Sequence, residues 1–206
     1  MERRKVLVFT GLVEGTGKIA TKIRVGRGLR LKIMPDFDLK LAPGDSIAVD
    51  GVCLTVEKIR GREFELFLSD ETLSRTKFGK SLRIGQRVNL EMPMTPEKLF
   101  GGHLVTGHVD TVGKLEKTSR TGEGALWEIS ISEKKYMHYL VEKGSVAVDG
   151  VSLTIVSLLP SGFSVALIPF TLQNTSFRER KRGDLLNIEF DLIGKYIERF
   201  LEERGL

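Results

Sequence analysis

The chain has 206 residues, 41% of them hydrophobic and 29% charged, a length that suits two domains of roughly 100 residues and a composition ordinary for a globular protein. Its one cysteine excludes an internal disulfide framework and makes a reducing cytoplasm the expected compartment, and no apolar run approaches the roughly 20 residues of a membrane span. The net charge of +5 permits a polyanion partner, but the basic residues are scattered, the dense run Arg178–Arg182 reads as a solvated loop, and the strands lack the exposed aromatic clusters of a nucleic-acid binder.

The start, MERRKVLVFTGLVEG, imitates a signal peptide. The run VLVFTGLV is interrupted by Thr10 and Gly11, and acidic Glu14 follows with no small-x-small cleavage site, so the segment is expected to be a β-strand. GLVEGTGKI is not a phosphate loop: its glycine spacing is one residue too long, and Ile19 stands where Ser or Thr would hold magnesium. GRGLRL lacks the third glycine of a dinucleotide fingerprint.

The next motif is SIAVDGVCLTV at Ser46–Val56, and it returns as SVAVDGVSLTI at Ser145–Ile155. Cys53 over Ser152 sets an offset of 152 − 53 = 99 residues, which also aligns Asp50 with Asp149, Gly51 with Gly150, Thr55 with Thr154, Thr72 with Thr171 and Phe78 with Phe177. With small indels, TGLVEGTGKI matches TGHVDTVGKL, and RVNLE matches LLNIE. Such a period is too long for a solenoid and marks two homologous domains in tandem. Their seam falls in Glu91–Gly102, where Pro93 and Pro96 break the pattern, giving domains over 1–97 and 98–190 and a tail over 191–206.

Within each copy the apolar residues alternate with period two, and Gly, Asp or Pro interrupts them about every ten residues, as in a sandwich or barrel. Each DG marks a tight turn or bulge. A short helix is expected before each motif, over EKKYMHYLVEKG with Ser132 as its cap in the second copy and weakly over DFDLKLAPG in the first. The tail DLIGKYIERFLEERGL places Leu192, Ile193, Tyr196, Ile197, Phe200 and Leu201 on one face of a helix starting at Asp191. It has no counterpart in the first copy, so packing on its own barrel and self-association are both open.

Side chains two apart on a strand share a face. With Leu54 and Leu153 inward, Cys53 and Thr55 point out together in one copy, and Ser152 and Thr154 in the other. In GGHLVTGHVD, His103 and His108 are five apart and fall on opposite faces of a strand, so no two-histidine metal clip is expected there and no metal site elsewhere. His108 shares a face with Thr106, where a neutral imidazole can move protons near neutral pH.

FTGLVEGTGKI, the two DG-V-[C/S]-L-T copies, GGHLVTGH at the seam and L-I-P-x-T-L in the second copy together resemble the riboflavin synthase alpha-subunit family, from Phe9 to the end. The resemblance implies an all-β fold of two tandem six-stranded Greek-key β-barrels plus a C-terminal amphipathic helix that forms a homotrimer, with no cofactor and no metal. It implies conversion of two 6,7-dimethyl-8-ribityllumazine molecules into riboflavin and 5-amino-6-(D-ribitylamino)uracil, at sites where the N-terminal barrel of one chain faces the C-terminal barrel of a neighbour. By the same resemblance Ser152, His108, Cys53 and Asp191 match catalytic positions, and Thr55, Thr154, Lys143, His103, Thr72, Thr171 and Phe9 match substrate-contacting ones. The proton transfer is assigned to His108, or to Ser152 polarised by it. Two departures stand out. MERRKVLV precedes Thr10, where family chains usually begin Met-Phe-Thr-Gly, so the extra residues either project away or lie upstream of a native start at Val8. Phe170 stands where a polar residue is more usual. Association with a lumazine synthase capsid is left open, and the rival of the same fold is a non-catalytic lumazine- or flavin-binding fluorescent carrier.

Overall fold

A computed structural model describes residues 8–205; the expectations concerning Met1–Leu7 lie outside the described residues. Residues of strand propensity alternating inward and outward build β1 (Gly15–Val25), β2 (Gly28–Pro35), β3 (Ser46–Val49), β4 (Val52–Arg60), β5 (Glu63–Leu68) and, after helices α1 (Asp70–Arg75) and α2 (Phe78–Ser81), β6 (Arg87–Glu91). The second copy repeats the series as β7 (Thr111–Thr121), β8 (Gly124–Ile131), a 3-10 turn (Lys134–Tyr139), β9 (Ser145–Val148), β10 (Val151–Leu159), β11 (Gly162–Leu167), α3 (Pro169–Asn174), a second 3-10 turn (Ser176–Glu179) and β12 (Leu185–Phe190). The helix α4 (Leu192–Glu203) ends it.

Each set of strands closes on itself, in the order β1-β2-β5-β4-β3-β6 and, equivalently, β7-β8-β11-β10-β9-β12. Closure removes every sheet edge. The curvature it needs comes from register shifts at matching places, Ile19/Thr21 and Val56/Lys58 in one barrel, Leu115/Lys117 and Ile155/Ser157 in the other. Period two does the rest: Leu29, Leu31 and Ile33 are buried while Arg30 and Lys32 between them are not. Each barrel has its own core, one around Leu31, Phe64 and Leu66, the other around Trp127, Phe163 and Phe177. Phe9, Ala48, Val105 and Ala147 form a small third core between them.

Several local expectations are corrected. The segment before the second motif is a six-residue 3-10 turn that follows Glu133 and has no side-chain cap, rather than a helix capped by Ser132, and Asp36–Gly44 has no helix; there Leu39 and Leu41 pack on the barrel core instead, and Pro43 cannot donate to a helical ladder. The true short helices follow β5 and β11, in stretches too brief to show a helical period. Around Phe9 there is no regular strand, only an isolated bridge to Val105, because Gly11 turns left-handed at φ 74° and leads the chain away from the ladder. Within Arg178–Arg182, the Arg180 side chain is turned in and 7% exposed while its neighbours are exposed. Among the described residues no helix is long and apolar enough to cross a membrane.

Candidate active site

The site begins with two hairpin turns. Asp50–Gly51 and Asp149–Gly150 join β3 to β4 and β9 to β10, with φ values of 44° and 76°, and 45° and 77°, the paired positive φ of a type I′ turn. The turns meet back to back: a Cβ on Gly51 would lie 2.7 Å from the Gly150 nitrogen, and the reverse holds at the same distance. The Asp50 Oδ1 accepts the Asn89 amide at 2.7 Å, and Asp149 Oδ1 accepts the Asn187 amide at 2.8 Å. Each asparagine then donates across to the other barrel's turn, Asn89 to the Asp149 carbonyl and Asn187 to the Asp50 carbonyl. Buried Lys77 and Arg180 pair with both aspartates. Burial pushes the Asp50 carboxyl up, opposed by Lys77.

This junction sets the two barrels about a local twofold axis, and the threonine–glycine loops cross it. The Gly11 carbonyl accepts the Ser152 amide at 2.8 Å, and the Gly107 carbonyl accepts the Cys53 amide at 2.9 Å. Both approaches require glycine, since a Cβ would come within 2.6 Å of the Ser152 Cβ and 2.5 Å of the Cys53 Cβ. Buried carboxylates hold the loops. Glu91 accepts from the Thr10 amide and hydroxyl and the Gly11 amide, while Glu189 accepts from their counterparts Thr106 and Gly107. Burial raises both carboxyls, and these donors pull them back.

Leu54 and Leu153 do face their cores, so Cys53 and Thr55 look outward from β4, and Ser152 and Thr154 from β10. The histidines separate. His103, only 8% exposed, brings Nδ1 to 2.7 Å from the Ser152 Oγ, and its buried Nε2 has no partner. Desolvation lowers its proton affinity, partly offset by the negative charge of Asp191. His108 is exposed and follows the Gly107 turn against Cys53, so the imidazole partnered with Ser152 in the chain is that of His103. The two histidines do not sit on a strand at all, Gly107 at φ 77° breaking the segment.

The remaining expected residues divide between the barrels. Thr72 stands on α1, its hydroxyl 3.0 Å from that of Ser69, and Thr171 stands on α3. Lys143 is exposed at φ 64° where the first copy has Gly44 at φ 87°, their amides bonding the Ile155 and Val56 carbonyls; a left-handed lysine stores strain of the kind that functional sites retain. Asp191 caps α4 by accepting the Ile193 amide at 3.0 Å. Phe9 is fully buried beside Val105 and the two alanines, with Cys53 packed on that cluster, so in the single chain it supports the thiol from behind. The Cys53 thiol is pushed up by burial and is protonated at neutral pH. Sequence reasoning passed over Glu91, Glu189, Asn89, Asn187, Lys77 and Arg180; for the first four the signal was the N-x-E repeated in RVNLE and LLNIE, polar side chains on the strand face opposite the core residues Val88, Leu90, Leu186 and Ile188 in both copies.

Comparison with known proteins agrees with this duplicated arrangement. The family described as lumazine binding domain matches twice, over residues 10–93 and 106–191. Riboflavin synthase of Actinobacillus pleuropneumoniae is 39% identical over 199 residues, 94% of this chain and 90% of that one. The riboflavin synthases of Bacillus subtilis (38%, 95% of this chain, 91% of that one) and Schizosaccharomyces pombe (36%, 95% and 94%) are similar over the same extent. Among solved structures, LumP complexed with 6,7-dimethyl-8-(1'-D-ribityl) lumazine superposes with a TM-score of 0.78 at 23% identity, over 88% of this chain and 98% of that one. LumP with riboflavin gives 0.79 at 24%, over the same shares. At that identity the likeness is one of fold.

Proposed function

The chain belongs to the lumazine binding domain family, and from that premise we propose that it catalyses the riboflavin synthase reaction: two 6,7-dimethyl-8-ribityllumazine molecules dismutate to riboflavin and 5-amino-6-(D-ribitylamino)uracil, one giving a four-carbon unit to the other. The observation that carries the reading is 39% identity to a riboflavin synthase across 94% of the chain, joined to a polar half-site in each barrel. The atoms of two substrates are fully accounted for by two products, so the reaction consumes no oxidant or reductant.

In this reading the C-terminal half-site generates the carbanion. A base removes a proton from the acidic C7 methyl of one lumazine; Ser152, with neutral His103 at 2.7 Å to receive the proton, is placed for that step. In the other half-site a nucleophile adds to C7 of the second lumazine. The protonated Cys53 thiol is poorly suited to that role, which leaves water or a hydroxyl as the attacking group. The carbanion then attacks, and elimination completes the new ring. Holding the two rings in one fixed pose supplies much of the rate, because it makes a bimolecular encounter intramolecular.

Stacking two substrates needs two barrels face to face. The exposed apolar face of α4, with Tyr196 69% exposed among Ile193, Ile197 and Phe200, supports self-association, and we assign it to a homotrimer in which N- and C-terminal half-sites of neighbouring chains meet. Incubation of the purified protein with the lumazine alone tests the function. Riboflavin and the pyrimidine appearing in equal amounts is the expected result; a bound fluorescent complex without turnover would instead identify a carrier.

A further inference from the structure

The half-sites occupy equivalent places in two copies of one fold, so a residue that differs across the 99-residue offset marks a chemical difference between two pockets of common shape. In the first barrel the ladder between β4 and β5 ends with Val56 opposite Leu66, so Thr55 and Phe67 are the next residues of the two strands beyond it. In the second, the ladder between β10 and β11 ends with Ile155 opposite Val165, and the next residues beyond it are Thr154 and Ala166. Just beyond, Glu71 stands on α1 where Phe170 stands on α3.

The aromatic ring has therefore changed sides. The N-terminal rim carries it on the strand, as Phe67 packed over Gly28 and 38% exposed, and pairs Glu71 with Arg75 on its helix. The C-terminal rim has only Ala166 on the strand and carries its ring on the helix, as Phe170, 71% exposed, near Ile168 at 61%. The hydroxyls differ too. Thr72 shares a hydrogen bond with the Ser69 hydroxyl, whereas the Ile168 side chain has no oxygen to offer Thr171. Large apolar side chains left in water at the mouth of a polar site are stabilised when a flat heteroaromatic ring covers them.

We propose that Phe67 and Phe170 are specificity-determining residues, each clasping the ligand's ring system in one half-site only, from the strand side in the N-terminal barrel and from the helix side in the C-terminal barrel. The inference rests on the reading of both half-sites as lumazine pockets. Its consequence is that two identical substrates are held unequally, as a reaction with one donor and one acceptor requires.

Titration of the full-length protein with riboflavin, followed by quenching of flavin fluorescence, tests it. The parent shows two classes of site. Phe170→Glu, which copies the first barrel's residue type into the second, weakens one class about tenfold and leaves the other within twofold; Phe67→Ala, which copies the second into the first, weakens the other class. Phe170→Tyr, which keeps the ring, retains the parent affinities, and unchanged thermal melting of these solvent-facing variants shows that they fold. A single class in the parent, both substitutions acting on one class, or neither moving any class overturns the proposal. A parent that binds neither riboflavin nor the lumazine overturns instead the function on which it rests.

Discussion

In the proposed reaction the residue expected to shape the chemistry most is His103, because burial lowers its proton affinity and so favours the neutral imidazole. Its folded proton affinity lies below the ordinary value of 6.5. The stability it contributes is therefore full above that value and is lost as pH falls through the lowered one. For catalysis the same sign means that the acid limb of kcat falls below pH 6.5 rather than at it. We expect His103→Ala to lower kcat roughly 10- to 100-fold, toward the small end of what a proton-transfer group supplies, and to remove that limb from the pH profile. Melting at pH 7 separates this from a folding defect. An unchanged profile would show that the imidazole near Ser152 takes no part in proton transfer.

At the level of elements, α4 is the part whose apolar face is left uncovered among the described residues. It is fastened to the second barrel through its polar side: Lys195 reaches Asp110 at 2.6 Å, His138 reaches Glu198 at 2.7 Å, and Tyr139 also bonds Glu198. Its apolar side remains in solvent, along a groove of about 510 Å³ lined in part by Val141, Ile197 and Leu201. Those fastenings fix the direction in which the helix presents itself, so in the proposed homotrimer a second copy would meet a surface held in place by them. Ile197→Glu with Phe200→Glu places two charges on that face, and since both positions are exposed the barrels should melt as before. The expected outcome is sedimentation as a single chain with a large loss of kcat. Sedimentation unchanged from the parent would remove α4 from the assembly.

Across the whole molecule, the two barrels are held by a lattice of buried charge. Lys77 and Arg180 face Asp50 and Asp149 on the local twofold axis, and the cations enter from non-equivalent positions, since Lys77 aligns with Ser176 and Arg180 with Ser81. Removing one cation leaves two buried carboxylates sharing the other, an uncompensated buried charge that costs about 3–5 kcal/mol. We expect Lys77→Met to destabilise the protein by that order in denaturant titrations at pH 7. Asp50 already holds its proton more tightly folded than at the ordinary 3.8, so its contribution is full below that value and declines as pH rises through the raised one. Without Lys77 the rise is larger, and the deficit of the variant should narrow at pH 4.5. A deficit that did not depend on pH would mean that the aspartates are not what Lys77 serves.

The amino-acid sequence alone determined that the chain is two copies of one all-β domain followed by an unmatched helix, because strand alternation and a motif repeated at constant offset are read directly along the chain; sandwich or barrel stayed open on that pattern, and the closed barrels were implied by the family resemblance. It also marked Cys53, Thr55, Ser152 and Thr154 as outward-facing, since Leu54 and Leu153 between them had to be buried. Which histidine meets Ser152 was decided only by the tertiary structure: His103 and His108 lie five residues apart, and the left-handed turn at Gly107 together with the crossing of the threonine–glycine loops sends them to different barrels. The buried ionic lattice was likewise out of reach. Lys77 and Arg180 read as surface charges from their neighbours in the chain, and become structural only where two domains exclude water between carboxylates 99 residues apart.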